Sequence, residues 1–230
     1  MTKRKRRKPR QPRPAPVHPT QEPQTETAGD VDGESPTSAP TAAPPPRSLW
    51  AVFAFTLAVR FLYLLTADGP SFHDPLIDGD YYDYLGVRLS RGEGFAPGPF
   101  WQPPLYPLLL GGLYSLFGHD LGWPRILQAL LDAATAVLAV RIAYRVVGHG
   151  AWALGAGVIV ALHGTLVFYS GELLPTSLAV TGTTTAIWLA VEPGLSSRRA
   201  ALCGAAIGLA SLAVATSLAV LLPIAWFVGR

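Results

Sequence analysis

Three carboxylates fall within six positions in "IDGDYYDYLGVRLSRGEGF" (77 to 95): Asp78, Asp80 and Asp83. A fourth acid, Glu172, stands alone in the apolar stretch "YSGELLPTSL". Carboxylates of this kind serve either as a general base with its partner or as oxygen ligands for a divalent cation. A plain structural alternative stands beside each. An Asp just before an amphipathic helix is a favoured N-cap, and Glu172 is placed to cap the helix that follows it. Cationic and polar candidates accompany them: Arg125, Arg88, Arg91, His73 and the pair Tyr81 and Tyr82. A guanidinium can hold a phosphate in bidentate fashion, though an arginine at a helix end also serves as an interfacial anchor. No metal-ligand spacing links the histidines, and His163, Asp132 and Gln128 lie within apolar segments, where interhelical hydrogen bonds are the ordinary explanation. GxGxxG, GK[ST] and GxSxG are all absent, which removes the usual supports for soluble nucleotide chemistry and serine hydrolysis.

The elements that must position these groups belong to a membrane protein. Half of the 230 residues are hydrophobic, 14% are charged, and the mean hydropathy is +0.30. "SLWAVFAFTLAVRFLYLLTA" (48 to 67) is long enough to cross about 30 Å of hydrocarbon as a helix. Arg60 within it must face other helices or reach an interface. Tyr82, Leu85 and Leu89 recur at helical spacing, predicting a short amphipathic helix on the membrane surface that ends at Gly92 and Gly94. "PPLYPLLLGGLYSLFG" (103 to 118) is apolar but short for a span. If it does not cross, the helices that follow deliver Arg141, Arg145, Arg198 and Arg199 to the cytoplasm, as the positive-inside rule requires. It is therefore read as a juxtamembrane or re-entrant helix, with Asp78 and Glu172 together on the extracytoplasmic face. The stretch "GAWALGAGVIVALHGTLVFYS" reads as one span and "LLPTSLAVTGTTTAIWLAV" as the next. Residues 200 to 230 read as two short spans broken near Thr216 and Ser217.

Residues 1 to 47 differ in kind. They hold 11 of the 22 prolines, five acids, and eight Lys or Arg among the first thirteen positions. This predicts a disordered tail whose basic head is a cytoplasmic anchor, not a nucleic-acid site. A long polar stretch separates the basic run from the first apolar segment, unlike a signal peptide. Cys203 is the only cysteine, so no disulfide framework exists. The expected fold is all-α: a polytopic transmembrane helical bundle (48 to 230) with extracytoplasmic juxtamembrane helices and a disordered tail.

An ordered series of motifs adds to this reading. An acid followed four residues later by tyrosine (Asp78 to Tyr82), then "RLSRGEGF", "PFWQPPLYPLLLGGLYSLFG", "RILQALL" and "YSGELLPTSL" resembles the N-terminal half of the C-type superfamily of polyprenyl-phosphate-sugar-dependent membrane glycosyltransferases. That superfamily includes protein O-mannosyltransferase-like and aminoarabinose-transferase-like enzymes. The resemblance implies that Asp78 is the catalytic base, with Asp80 as second choice, and that Glu172 is a second acidic position on the next extracytoplasmic loop. It implies transfer, usually with inversion, of a sugar from a polyprenyl-phosphate carrier to a lipid, glycan or protein acceptor. Arg125, with Arg88 or Arg91, is expected at the phosphate, and Tyr82 and His73 beside the substrate. Members of the superfamily continue through further spans. They also carry an Arg or another large polar residue after the equivalent of "GLASL", where this chain reads "AVATSLAVLLP". A non-catalytic scaffold or lipid-carrier protein in envelope-polysaccharide assembly is the alternative, and a transporter finds no charged pair or inverted repeat to support it.

Overall fold

The computed structural model describes residues 42–98, 101–194 and 196–228, so most of the expected tail lies outside the described residues. Helix is the only regular structure among the described residues, as expected. Pro45 and Pro46 open α1 (Pro46–Thr66), proline being suited to a first turn that needs no N–H partner. A single turn, α2 (Pro70–His73), leads to α3 (Asp78–Ser90) and α4 (Leu105–Phe117). Then come α5 (Gly122–Val147), α6 (Gly150–Leu162), α7 (Gly164–Gly171), α8 (Thr176–Val191) and α9 (Ser197–Ala213). A 3₁₀ segment, Ala215–Val220, joins α9 to α10 (Leu221–Val228).

Two of these helices, α1 and α5, are long and apolar enough to cross a membrane, and α6 with α7 makes a third if the bent pair is one span. Helix α4 has 13 residues, a rise of about 20 Å, and does not reach across the hydrocarbon by itself. The expected break near Thr216 falls inside the 3₁₀ segment, but α10 has only eight residues and is too short for the second span read there.

The buried interior is mostly small. Ala129, Ala133, Ala136, Ala153, Ala161 and Ala186 are fully enclosed, whereas Leu62, Ile159 and Leu222 lie outward. Small residues inside let helix backbones approach closely, and large apolar ones outside suit a lipid surround. Helix α5 is the hub, packing on α1, α6 and α8.

Helices α3 and α4 form a tight hairpin at one end of the hub. A Cβ at Gly111 would lie 2.7 Å from that of Leu89, and one at Gly86 2.8 Å from that of Leu110, so both contacts require glycine. The amphipathic face expected on the membrane surface instead packs on α4: Tyr82 is buried with Tyr106, Leu110, Tyr114 and Leu173. Gly92 ends α3 at φ 77°, a conformation that favours glycine.

The span read from 150 to 170 is broken. His163 is extended (φ −65°, ψ 108°), and α6 and α7 meet there at 46°. A break in an apolar helix frees carbonyls that need donors. Arg60, fully buried on α1, supplies them: Nη1 donates to Ala161 O at 2.7 Å and Nη2 to Val160 O at 3.4 Å. Its Nε donates to Asp132 Oδ2 of α5 at 2.8 Å, and Ser177 hydrogen-bonds the same carboxylate. Arg60 is thus a fastener between three helices.

Candidate functional site

Helix α5 carries a polar stripe at helical spacing, Arg125, Gln128, Asp132 and Thr135, all buried. The two residues at its N-terminal end hold the segment that contains Glu172. Gln128 Nε2 donates to the carbonyls of Ser170 (3.1 Å) and Glu172 (2.8 Å), and its Oε1 accepts from the Tyr106 hydroxyl at 2.5 Å. Arg125 Nε donates to Gly171 O at 2.8 Å, Nη2 donates to Phe72 O, and the guanidinium lies 3.6 Å from the centre of the Phe72 ring. The stripe therefore fixes the end of α7, the start of the following loop and the turn α2 to one another.

The N-terminus of α3 packs on this loop. A Cβ at Gly79 would meet those of Pro75 at 3.2 Å and Leu173 at 3.7 Å. Asp78 follows Ile77, whose φ of 54° is unusual for a β-branched residue and carries backbone strain. Asp78 and Asp80 sit in the first turn of α3, where the helix dipole favours negative charge. Neither is the N-cap: that position is Ile77. Nor does Glu172 cap α8, whose N-cap is Pro175.

Asp78 lines a cavity of about 360 Å³ with Tyr82, Gln102 and Tyr169, closed on another side by Ala213, Val214, Ala215 and Thr216. Gln102 joins the polar groups, its Nε2 donating to Asp78 Oδ1 at 3.3 Å and its Oε1 accepting from the Tyr82 hydroxyl at 3.1 Å. Burial, followed by the nearby Asp78 charge, pushes the Tyr82 phenol up to about 12, so it remains a donor at neutral pH. Asp78 keeps one oxygen beyond the Gln102 contact and is exposed to the cavity mouth, which leaves it able to accept a proton.

The other expected residues divide. Glu172 is brought to the same end of the molecule as Asp78, but its carboxylate is not part of the cavity lining and lies within electrostatic reach of Arg125 and Tyr63. Desolvation raises its pKa, against a smaller lowering by Arg125. Asp80 is exposed and outside the cavity. Arg88 and Arg91 lie at the C-terminal end of α3, about 15 to 20 Å along the axis from Asp78. Arg88 pairs there with Glu93 at 3.2 Å. His73, exposed, pairs with Asp68 at 3.2 Å. Asp83 belongs to a separate cluster, accepting from Tyr114 at 2.6 Å and meeting His119 Nε2 at 3.0 Å. Burial and that hydrogen bond push the Tyr114 phenol up.

Gln102 and Tyr169 were not singled out by the sequence. Gln102 sits in "FWQPPLYP", just before the segment read as a juxtamembrane helix, and only its being a lone amide among aromatics and prolines marks it. Among the described residues no three His, Cys, Asp or Glu side chains are grouped to hold a metal ion, so a divalent cation at Asp78 would need ligands from elsewhere. Comparison with protein-family models, curated proteins and solved structures finds no match.

Proposed function

We propose that this chain is a polytopic membrane glycosyltransferase, or the N-terminal part of one, that moves a sugar from a polyprenyl-phosphate carrier to an extracytoplasmic acceptor, with Asp78 as general base. The reading draws on the order of sequence motifs. The single observation that carries it is the cavity at the end of the helices, with an accessible carboxylate held by Gln102 and flanked by the Tyr82 hydroxyl. In the proposed step the acceptor hydroxyl attacks the anomeric carbon and gives its proton to Asp78. The bond from that carbon to the phosphate oxygen breaks, and polyprenyl phosphate leaves. Arg125 acts at a distance, by fixing the loop after α7, since its donors go to Gly171 and Phe72.

Charge supports the orientation. The segments at the Asp78 end (68 to 125, with 172) carry eight carboxylates against three arginines, whereas the opposite end carries Arg47, Arg141, Arg145, Arg198 and Arg199 against Glu192. The positive-inside rule assigns the arginine-rich end to the cytoplasm.

One observation favours the non-catalytic scaffold instead: the described residues lining the cavity include no Arg, Lys or His to meet a leaving phosphate. The two readings separate on one variant. In membranes supplied with polyprenyl-phosphate-linked sugars, release of free polyprenyl phosphate falls about 10² to 10⁴-fold for Asp78→Asn at unchanged expression, the range of general-base catalysis. Release at the wild-type rate removes Asp78 from the chemistry and leaves the scaffold.

A further inference from the structure

The end opposite the Asp78 cavity contains two adjoining hollows. Helices α1 and α8 both pack along α5. Between them runs an apolar groove of about 540 Å³, from Phe53 and Thr181 at its deep end to Arg141 and Trp188 at its mouth. Over residues 134 to 141 of α5 it is about 10 Å deep, enough for part of an acyl chain. The hydroxyls at the deep end are already used, Thr181 donating to Ser177 O at 2.7 Å and Thr185 to Thr181 O at 2.7 Å. The deep end therefore presents carbon to whatever enters.

At the mouth, a second cavity of about 420 Å³ shares Leu49 and Arg141 with the groove and adds Arg145 and Glu192. Arg145 is paired with Glu192 at 2.5 Å, and Arg199 donates to the carbonyls of Glu192, Pro193 and Gly194. Arg141 is different. It is exposed, lies 5.5 Å from the Trp188 ring centre, and has no carboxylate within ion-pair distance among the described residues. An apolar slot that ends at a guanidinium with no carboxylate partner among the described residues, beside the Trp188 indole, is complementary to an anionic amphiphile.

We propose that this composite hollow binds one anionic glycerophospholipid, with an acyl chain in the groove and the phosphodiester on Arg141. A zwitterionic lipid would bring an ammonium group into a mouth where Arg141 and Arg145 line the wall with a single Glu192, itself paired to Arg145. The inference requires that the chain lie in a bilayer and is independent of the transferase reading.

Native mass spectrometry on the full chain, released from nanodiscs of equimolar phosphatidylglycerol and phosphatidylcholine, tests it. The wild type retains one phosphatidylglycerol in preference to phosphatidylcholine. Arg141→Gln reduces that retention about fivefold, the effect of one basic residue at a lipid surface. Thr185→Trp fills the groove without touching a charge and also loses the lipid, while Arg198→Gln, outside both hollows, keeps it. Equal retention of the two lipids by the wild type, or full retention of phosphatidylglycerol by Arg141→Gln, overturns the proposal. Should Arg141→Gln fail to fold, Thr185→Trp decides alone, and retention there overturns it.

Discussion

Replacing Glu172 with Gln removes a carboxylate whose protonated form the fold favours. Desolvation raises its pKa above the ordinary 4.5, so the native state binds this proton more tightly than the unfolded chain does. The stability this proton contributes is complete below the unfolded pKa and is lost as pH rises through the folded one. Glu172→Gln escapes that loss. The variant should melt higher than wild type in detergent at neutral pH, with the difference closing as the pH falls below the carboxylate range. A variant that melts lower at neutral pH would mean that attraction to Arg125 outweighs desolvation. Asp78 contrasts with Glu172 at this scale. Both are acids at one end of the chain's fold, but one lines a cavity and the other lies outside it, within electrostatic reach of Arg125. The sequence marked both, Asp78 as one of three clustered acids and Glu172 as a lone acid in an apolar stretch. It had no means of showing which way each side chain turns, since that depends on packing partners such as Gln102 and Arg125, distant in the chain.

The helices show a related division between what periodicity reveals and what it hides. The extent of α1, the apolar face of α3 and its end at Gly92 were legible, because 3.6-residue spacing and glycine punctuation are local signals. The break at His163 was not, because 150 to 170 is apolar throughout and only "HG" interrupts it. What makes the break tolerable lies elsewhere, in Arg60 and Asp132, which the sequence presented as isolated polar residues in two other segments. Asp132→Ala tests this coupling. It leaves the buried Arg60 guanidinium without its counter-charge and is expected to destabilise the protein by about 3 kcal/mol. The loss should appear in thermal or SDS-induced unfolding. A change below about 0.5 kcal/mol, the size of an ordinary surface substitution, would show that the carbonyls of Val160 and Ala161 satisfy Arg60 without Asp132.

For the whole molecule, composition and charge carried most of the information. Alanine inside and leucine or tryptophan outside follow from a chain whose hydrophobicity is needed at its surface as well as in its core. The four arginines from 141 to 199 gather at the end where α1 begins, and the carboxylates of 68 to 83 gather at the other. The proposed function depends on that polarity: an extracytoplasmic transferase requires Asp78 and the Glu172 loop outside, and Arg198 inside. Thiol labelling of intact cells with a membrane-impermeant reagent reads it directly, with Cys203 replaced by Ser and single cysteines at positions 78, 172 and 198. Positions 78 and 172 should label on intact cells, and position 198 only after the membrane is opened. Labelling of 198 from outside, or of 78 and 172 only after opening, would place the Asp78 cavity in the cytoplasm and contradict the proposed function.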